Sequence, residues 1–179
     1  MMKETERWPN PEKNTLNYPF YRSLLARLME LIKIHYKDKL ISLVLYGSVA
    51  RGTAKQDSDI DIILIIDNLS YKESMNRFLL VEQKLKESQE FISIKESGYS
   101  PEIRPILFSQ EEASESRYIF LDIVNDGIIL YDKNDFFKKR LEKLRKRLIE
   151  LDSRRIFRND GSWYWILAPN LKFGESFEI

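Results

Sequence analysis

ISLVLYGSVARGTAKQDSDIDIILII, residues 41–66, holds two almost wholly apolar runs joined by a glycine-bearing turn and a cluster of aspartates. The first run, Ile41 to Tyr46, is closed by Gly47; the second, Ile60 to Ile66, ends in the turn-like pair Asp67-Asn68. Runs this short and this apolar predict buried strands, and side by side they form the centre of a sheet. Between them, Gly47 lets the backbone come close to a ligand, Ser48 adds a hydroxyl, and Val49-Ala50-Arg51 begins a turn of helix. Backbone N–H groups there, with the Ser48 hydroxyl, make a cradle for phosphate oxygens. Asp59 and Asp61 sit at the mouth of the second strand, two residues apart, so they project from one face.

Two carboxylates that close resist ionising together unless a cation lies between them. A divalent metal removes the conflict. With the β and γ phosphates of a nucleoside triphosphate on Ser48, and one or two Mg²⁺ on Asp59 and Asp61, the α-phosphorus lies near the metals. That is an arrangement for in-line nucleotidyl transfer with pyrophosphate leaving. A strand-ending turn and a solvated strand start would each explain half of the stretch, but charges leading straight into a central strand need a reason.

Outward from this centre, strands and helices interleave. Leu24, Leu28, Leu31 and His35 form a helical stripe between Phe20 and about Lys37, and Met75, Phe78, Val81 and Leu85 another between Tyr71 and Ser88. Glu102 to Phe108 predicts a third strand that Pro105 pushes to an edge or a bulge. Ser109 with Glu112 three residues on is a capping box that opens a short acidic helix. Gly127 to Tyr131 predicts a last strand, and Phe137, Leu141, Leu144, Leu148 and Leu151 the apolar stripe of a basic helix. An aromatic tail with Trp163, Tyr164 and Trp165 follows. The expected class is α+β, a layered α/β arrangement. Its expected parts are an irregular lead over residues 1–19, a core over 20–132, and a C-terminal helix and aromatic tail over 133–179 packed on that core as one domain.

Composition narrows the chemistry. The 179 residues contain no cysteine and a single histidine, His35, which excludes disulfides, thiolate sites and a multi-histidine zinc centre. Metal chemistry must run on carboxylates, which favour Mg²⁺ or Mn²⁺. Net charge is only +1, yet residues 133–158 hold eleven Lys or Arg against four Asp or Glu. That basic arm is a surface for an anionic partner or the solvated side of a packed helix. No apolar run approaches the roughly 18–20 residues of a membrane helix and the start lacks a signal-peptide stretch, so the expected place is the cytoplasm, away from membranes.

GSVARGTAKQDSDIDI, residues 47–62, resembles the signature of the DNA polymerase beta nucleotidyltransferase superfamily. The likeness is to its small minimal nucleotidyltransferases, with their Gly-Ser-x-Ala-Arg-Gly and Ser-Asp-x-Asp elements. PEIRPILF, GIILYD and RRIFRNDGSWYWILAPN are similar to a longer, chiefly archaeal branch, so the resemblance covers most of the chain from about residue 22. It implies a mixed or antiparallel sheet with helices on one side, Mg²⁺ or Mn²⁺, and a nucleoside triphosphate, ATP by preference. The implied reaction, of EC 2.7.7 type, moves AMP to a hydroxyl. It further implies Gly47 and Ser48 on the nucleotide, Asp59 and Asp61 on the metal, and a third acidic ligand on a later strand. Glu102 is the candidate for that ligand or for the general base, with Asp57 in reserve. Arg51 either pairs with a phosphate or holds its turn through a surface ion pair. The same resemblance implies a helical HEPN-type partner protein, which the chain modifies or, as the alternative, neutralises by contact as an antitoxin. An RNA acceptor or RNA-binding role for the basic arm, and a homodimer, are the further partner expectations.

Overall fold

The computed structural model describes residues 21–99 and 101–179; the expected lead over residues 1–19 lies outside them. Helix α1 spans Arg22–Tyr36 and leads through a short 3₁₀ turn into strand β1, Leu40–Tyr46. The five-residue turn α2 (Gly47–Arg51) follows, and then strand β2, Ile60–Ile66. Helices α3 (Tyr71–Lys86) and α4 (Gln89–Glu96) precede strand β3, Ile103–Ser109. Helices α5 (Gln110–Ser114) and α6 (Tyr118–Asp126), strand β4 (Ile128–Asp132) and helix α7 (Phe136–Glu150) come next. The chain closes with a hairpin of β5 (Arg154–Phe157) and β6 (Trp163–Ile166).

The main sheet runs β3-β2-β1-β4, and the two strands anticipated at its centre occupy the centre. β1 lies antiparallel to β2 and β4, while β2 and β3 run parallel, so the sheet is mixed. Pro105, which has no N–H to give a second neighbour, is accommodated because β3 is an edge strand.

Helices cover both faces of this sheet, which corrects the one-sided layer implied by the resemblance. On one face Leu43, Leu45, Ile62, Leu64 and Ile66 pack with Leu24, Leu28, Phe78 and Val81 of α1 and α3. On the other, Val44, Ile63 and Ile65 pack with Phe120, Val124, Phe137, Leu144 and Leu148 of α6 and α7. The physical reason lies in β2 itself: alternate side chains go to opposite faces, and a strand apolar at every position from 62 to 66 must find apolar cover on both. Each such Leu or Ile contributes about 1.5–3 kcal/mol by leaving water.

Two local devices fix the helices. The Ser109 hydroxyl accepts from the Glu112 amide at 3.0 Å while the Glu112 carboxylate accepts from the Ser109 amide at 2.8 Å, the reciprocal cap expected for α5. Asp132 at the end of β4 accepts from the Ser42 hydroxyl (2.5 Å) and from the amides of Phe137 (3.0 Å) and Lys138 (2.9 Å). It thereby ties the first turn of α7 to the middle of β1. Helices α4 and α6 and the terminal hairpin have no counterpart in the expected elements. YIFLDIVND buries Phe120, Leu121, Ile123 and Val124 on one side, a helical pattern confined to nine residues.

Candidate active site

Tyr46, the last residue of β1, pairs across the sheet with Asp61, the second residue of β2. The chain then turns at Gly47 with φ +75°, a left-handed conformation that side chains disfavour. The contact there is as demanding as the dihedral. A Cβ at Gly47 would lie 2.2 Å from Asp61 Oδ2, so the carboxylate occupies the space that the missing side chain leaves. The turn closes at Gly52, φ +72°, with the Thr53 amide donating to the Ser48 carbonyl at 2.9 Å. Ahead of the aspartates, the Ser58 hydroxyl accepts from the Lys55 amide at 2.7 Å, and the Ser58 amide donates to the Lys55 carbonyl at 3.1 Å. The spacer is thus tied back on itself just before β2 begins.

Asp59 and Asp61 share the sheet face of Ile63 and Ile65, at the open end of the strand. Burial first, and the Asp59 charge second, raise the Asp61 carboxyl above the usual range; Arg104 and Arg51 pull the other way. Burial, helped by the Asp61 charge, also pushes the Tyr46 phenol up to about 12. On the far side, Arg104 Nε lies 2.9 Å from Asp59 Oδ2. The pair is thus stretched between the Gly47 turn on the β1 side and a cation on the β3 side.

The two carboxylates, one paired with a guanidinium and the other raised above the usual range by burial and by its neighbour's charge, form a donor set suited to a hard divalent cation. Glu102 is adjacent but not joined to them. It lies beside Asp59 in the β2–β3 register, and its carbonyl accepts from the Ile60 amide at 2.8 Å. Its side chain is 74% exposed and stands 3.6 Å from Arg104 Nη2. Among the described residues no three carboxylates or histidines converge on one point. Asp57, the reserve carboxylate, lines an open cavity of about 770 Å³ together with Lys55, Gln56, Asp59, Glu102 and Arg104. Arg51 turns its guanidinium onto the Trp163 ring, 4.8 Å from the centroid.

Arg104 is the site residue missed in the sequence. It shares a strand face with Glu102, so the alternation that points to the glutamate points equally to the arginine. Trp163 was unreadable for another reason: it reaches α2 only through the folding of the terminal hairpin.

Raised Asp61 implies a stability profile. The folded chain binds its proton more tightly than the unfolded chain, so stability falls as pH rises from the ordinary aspartate range through the raised one. Asp61→Asn therefore raises the melting temperature at pH 7 in chelator-treated buffer, by a few degrees at most given partial exposure. The gain disappears in acid below the ordinary aspartate range. Thermal melts across pH check this, and an Asp61→Asn chain less stable than the parent at pH 7 contradicts it.

Comparison with known proteins identifies the family of the chain. The model of the family described as nucleotidyltransferase domain matches residues 27–156. A Methanocaldococcus jannaschii protein named "Putative protein adenylyltransferase MJ1305" is 31% identical over 125 residues, covering 69% of this chain and 80% of its own. Among solved structures, a toxin-antitoxin with AMP-PNP is similar at TM-score 0.43 and 20% identity, over 71% of this chain and 91% of that one. The MntA-HepT toxin-antitoxin is similar at TM-score 0.40 and 18% identity, over 73% and 92%. No helix among the described residues is long and apolar enough to cross a membrane.

Proposed function

The chain belongs to the nucleotidyltransferase domain family and is a transferase of the EC 2.7.7 type, and from that premise we propose that it moves AMP from ATP to a hydroxyl group of a partner protein. The observation that supports this reading most is the seat of Asp61 Oδ2 against Gly47, which brings the glycine turn and the second aspartate into contact. The name of the archaeal relative supports adenylyl transfer and a protein acceptor.

In the reaction the acceptor hydroxyl oxygen bonds to the α-phosphorus, the bond from that phosphorus to the bridging oxygen of the β-phosphate breaks, and pyrophosphate departs. Gly47 and Ser48 bind the β and γ phosphates and orient the chain of phosphorus atoms. Asp59 and Asp61 are the residues that would hold Mg²⁺, which would supply charge neutralisation at the phosphates. Glu102, exposed at the rim, takes the acceptor proton or completes the ligand set. Arg104 holds Asp59 in place before the cation arrives. A helical HEPN-type protein is the partner class in this proposal.

The test is to incubate the chain with α-³²P ATP and Mg²⁺ in a lysate of its source. Label enters protein and pyrophosphate is released, and chelation of the metal stops both. Label that enters protein from γ-³²P ATP and not from the α-labelled compound means phosphoryl transfer and overturns the proposal.

A further inference from the structure

The terminal hairpin is fastened to α6 by two carboxylates one helical turn apart. Asp122 Oδ1 accepts from both indole N–H groups, Trp163 Nε1 at 2.8 Å and Trp165 Nε1 at 3.0 Å. Asp126 receives the Arg155 guanidinium in a two-pronged bond of 2.6 and 3.1 Å, and that pair is almost buried, with 13% and 12% side-chain exposure. Charge-assisted two-pronged bonds of this kind are the strong and geometrically specific ones. The Trp163 ring, fixed in this way, meets the last residue of the Gly47–Arg51 turn, with Arg51 Cζ 4.8 Å above its centroid.

An exposed arginine ordinarily surrenders several rotatable bonds when it binds a ligand. Here the aromatic face lies against the cation, an attraction to the ring that takes up no hydrogen-bond acceptor and so leaves guanidinium N–H donors for a ligand. Among the described residues no carboxylate takes them up. A restrained cation with unspent donors, at the end of the turn that begins with Gly47 and Ser48, has the chemistry of a phosphate clamp.

We propose that Trp163 is a positioning residue that presents Arg51 to the triphosphate, making the β5–β6 hairpin part of the nucleotide site although it lies more than a hundred residues beyond the phosphate-binding turn. This rests on the reading of Gly47-Ser48 as that turn. The hairpin also gives the site a reason to discriminate by phosphate number: a ligand with β and γ phosphates gains from Arg51, and AMP does not.

The test measures the binding of methylanthraniloyl-ATP and methylanthraniloyl-AMP with Mg²⁺ by fluorescence, for the parent chain and for Trp163→Met, Trp163→Phe, Arg51→Ala and the double variant Arg51→Ala/Trp163→Met. Loss of the ring in Trp163→Met weakens ATP binding about fivefold and leaves AMP binding unchanged, whereas Trp163→Phe, which keeps a ring but gives up the N–H bond to Asp122, falls between Trp163→Met and the parent. In the Arg51→Ala background Trp163→Met costs nothing further, because the group it positions is gone. An equal loss for ATP and AMP, or an undiminished loss in the Arg51→Ala background, overturns the inference. Trp163→Leu replaces the methionine variant should thermal melting show the latter unfolded. A parent chain that binds no ATP overturns this inference together with nucleotidyl transfer, while ATP binding indifferent to Trp163 overturns this inference alone.

Discussion

An Asp59→Ala/Asp61→Ala double variant keeps the melting behaviour of the parent or improves on it, and transfers less than about a thousandth as much label from α-³²P ATP. The two halves of this result have separate causes. The aspartates contribute little to folding: Asp61 is held above its ordinary protonation range by burial and by Asp59, so its removal relieves a conflict. In the proposed reaction their contribution is large, since losing the donors for a cation that would neutralise transferring phosphates forfeits several kcal/mol, and each 1.36 kcal/mol is a factor of about ten. Asp59→Ala alone also leaves Arg104 without its 2.9 Å partner, with only the exposed Glu102 at 3.6 Å beside it. Label transfer at parental rate in the double variant removes both carboxylates from the reaction.

Gly47→Ala gives the second large effect, and it combines a stability loss with an activity loss. The residue has φ +75°, and the added Cβ would stand 2.2 Å from Asp61 Oδ2, 3.1 Å from its Cγ and 3.2 Å from its Cβ. The obstruction belongs to a short side chain on a central strand, so Asp61 must turn away or β1 and β2 must part at their ends. We expect a loss of about 1–3 kcal/mol in urea unfolding and a hundredfold or greater fall in label transfer. Gly52→Ala is the control. Gly52 has φ +72°, almost the same backbone, yet nothing lies within 4 Å of its added Cβ. It should cost about 1 kcal/mol and leave transfer within a few-fold of the parent. Equal activity losses at the two glycines would mean that backbone conformation, and not the seat of Asp61, governs the turn.

The contrast shows what sequence patterning reveals and what it does not. Gly47, Ser48, Asp59 and Asp61 could be singled out because they lie within sixteen residues of one another, at or beside the ends of two strands whose pairing the apolar runs dictate. The collision that makes Gly47 indispensable required the register, Tyr46 opposite Asp61, which no pattern within either strand specifies. Glu102 could be chosen as a carboxylate at a strand start, but its relation to Asp59 passes through Arg104, whose sign makes it easy to overlook in a search for metal ligands. Asp122 and Trp163 meet across 41 residues of chain. Neither stands out alone, since a carboxylate on an apolar helix and an indole in an aromatic tail each have commonplace explanations. The helices on the second sheet face were implicit in the unbroken apolarity of β2, a demand for cover on both sides that the resemblance to a one-sided layer concealed.

Because β2 is hydrogen-bonded to a neighbour along each side, its amides exchange with solvent only when the whole sheet opens, while an outlying two-stranded ribbon can detach at lower cost. The aspartates ride on the former and the arginine anchor on the latter. On warming, the chain should therefore lose its grip on nucleotide before it loses the capacity to react with whatever nucleotide is bound, so that KM for ATP climbs at temperatures where turnover at saturation still rises.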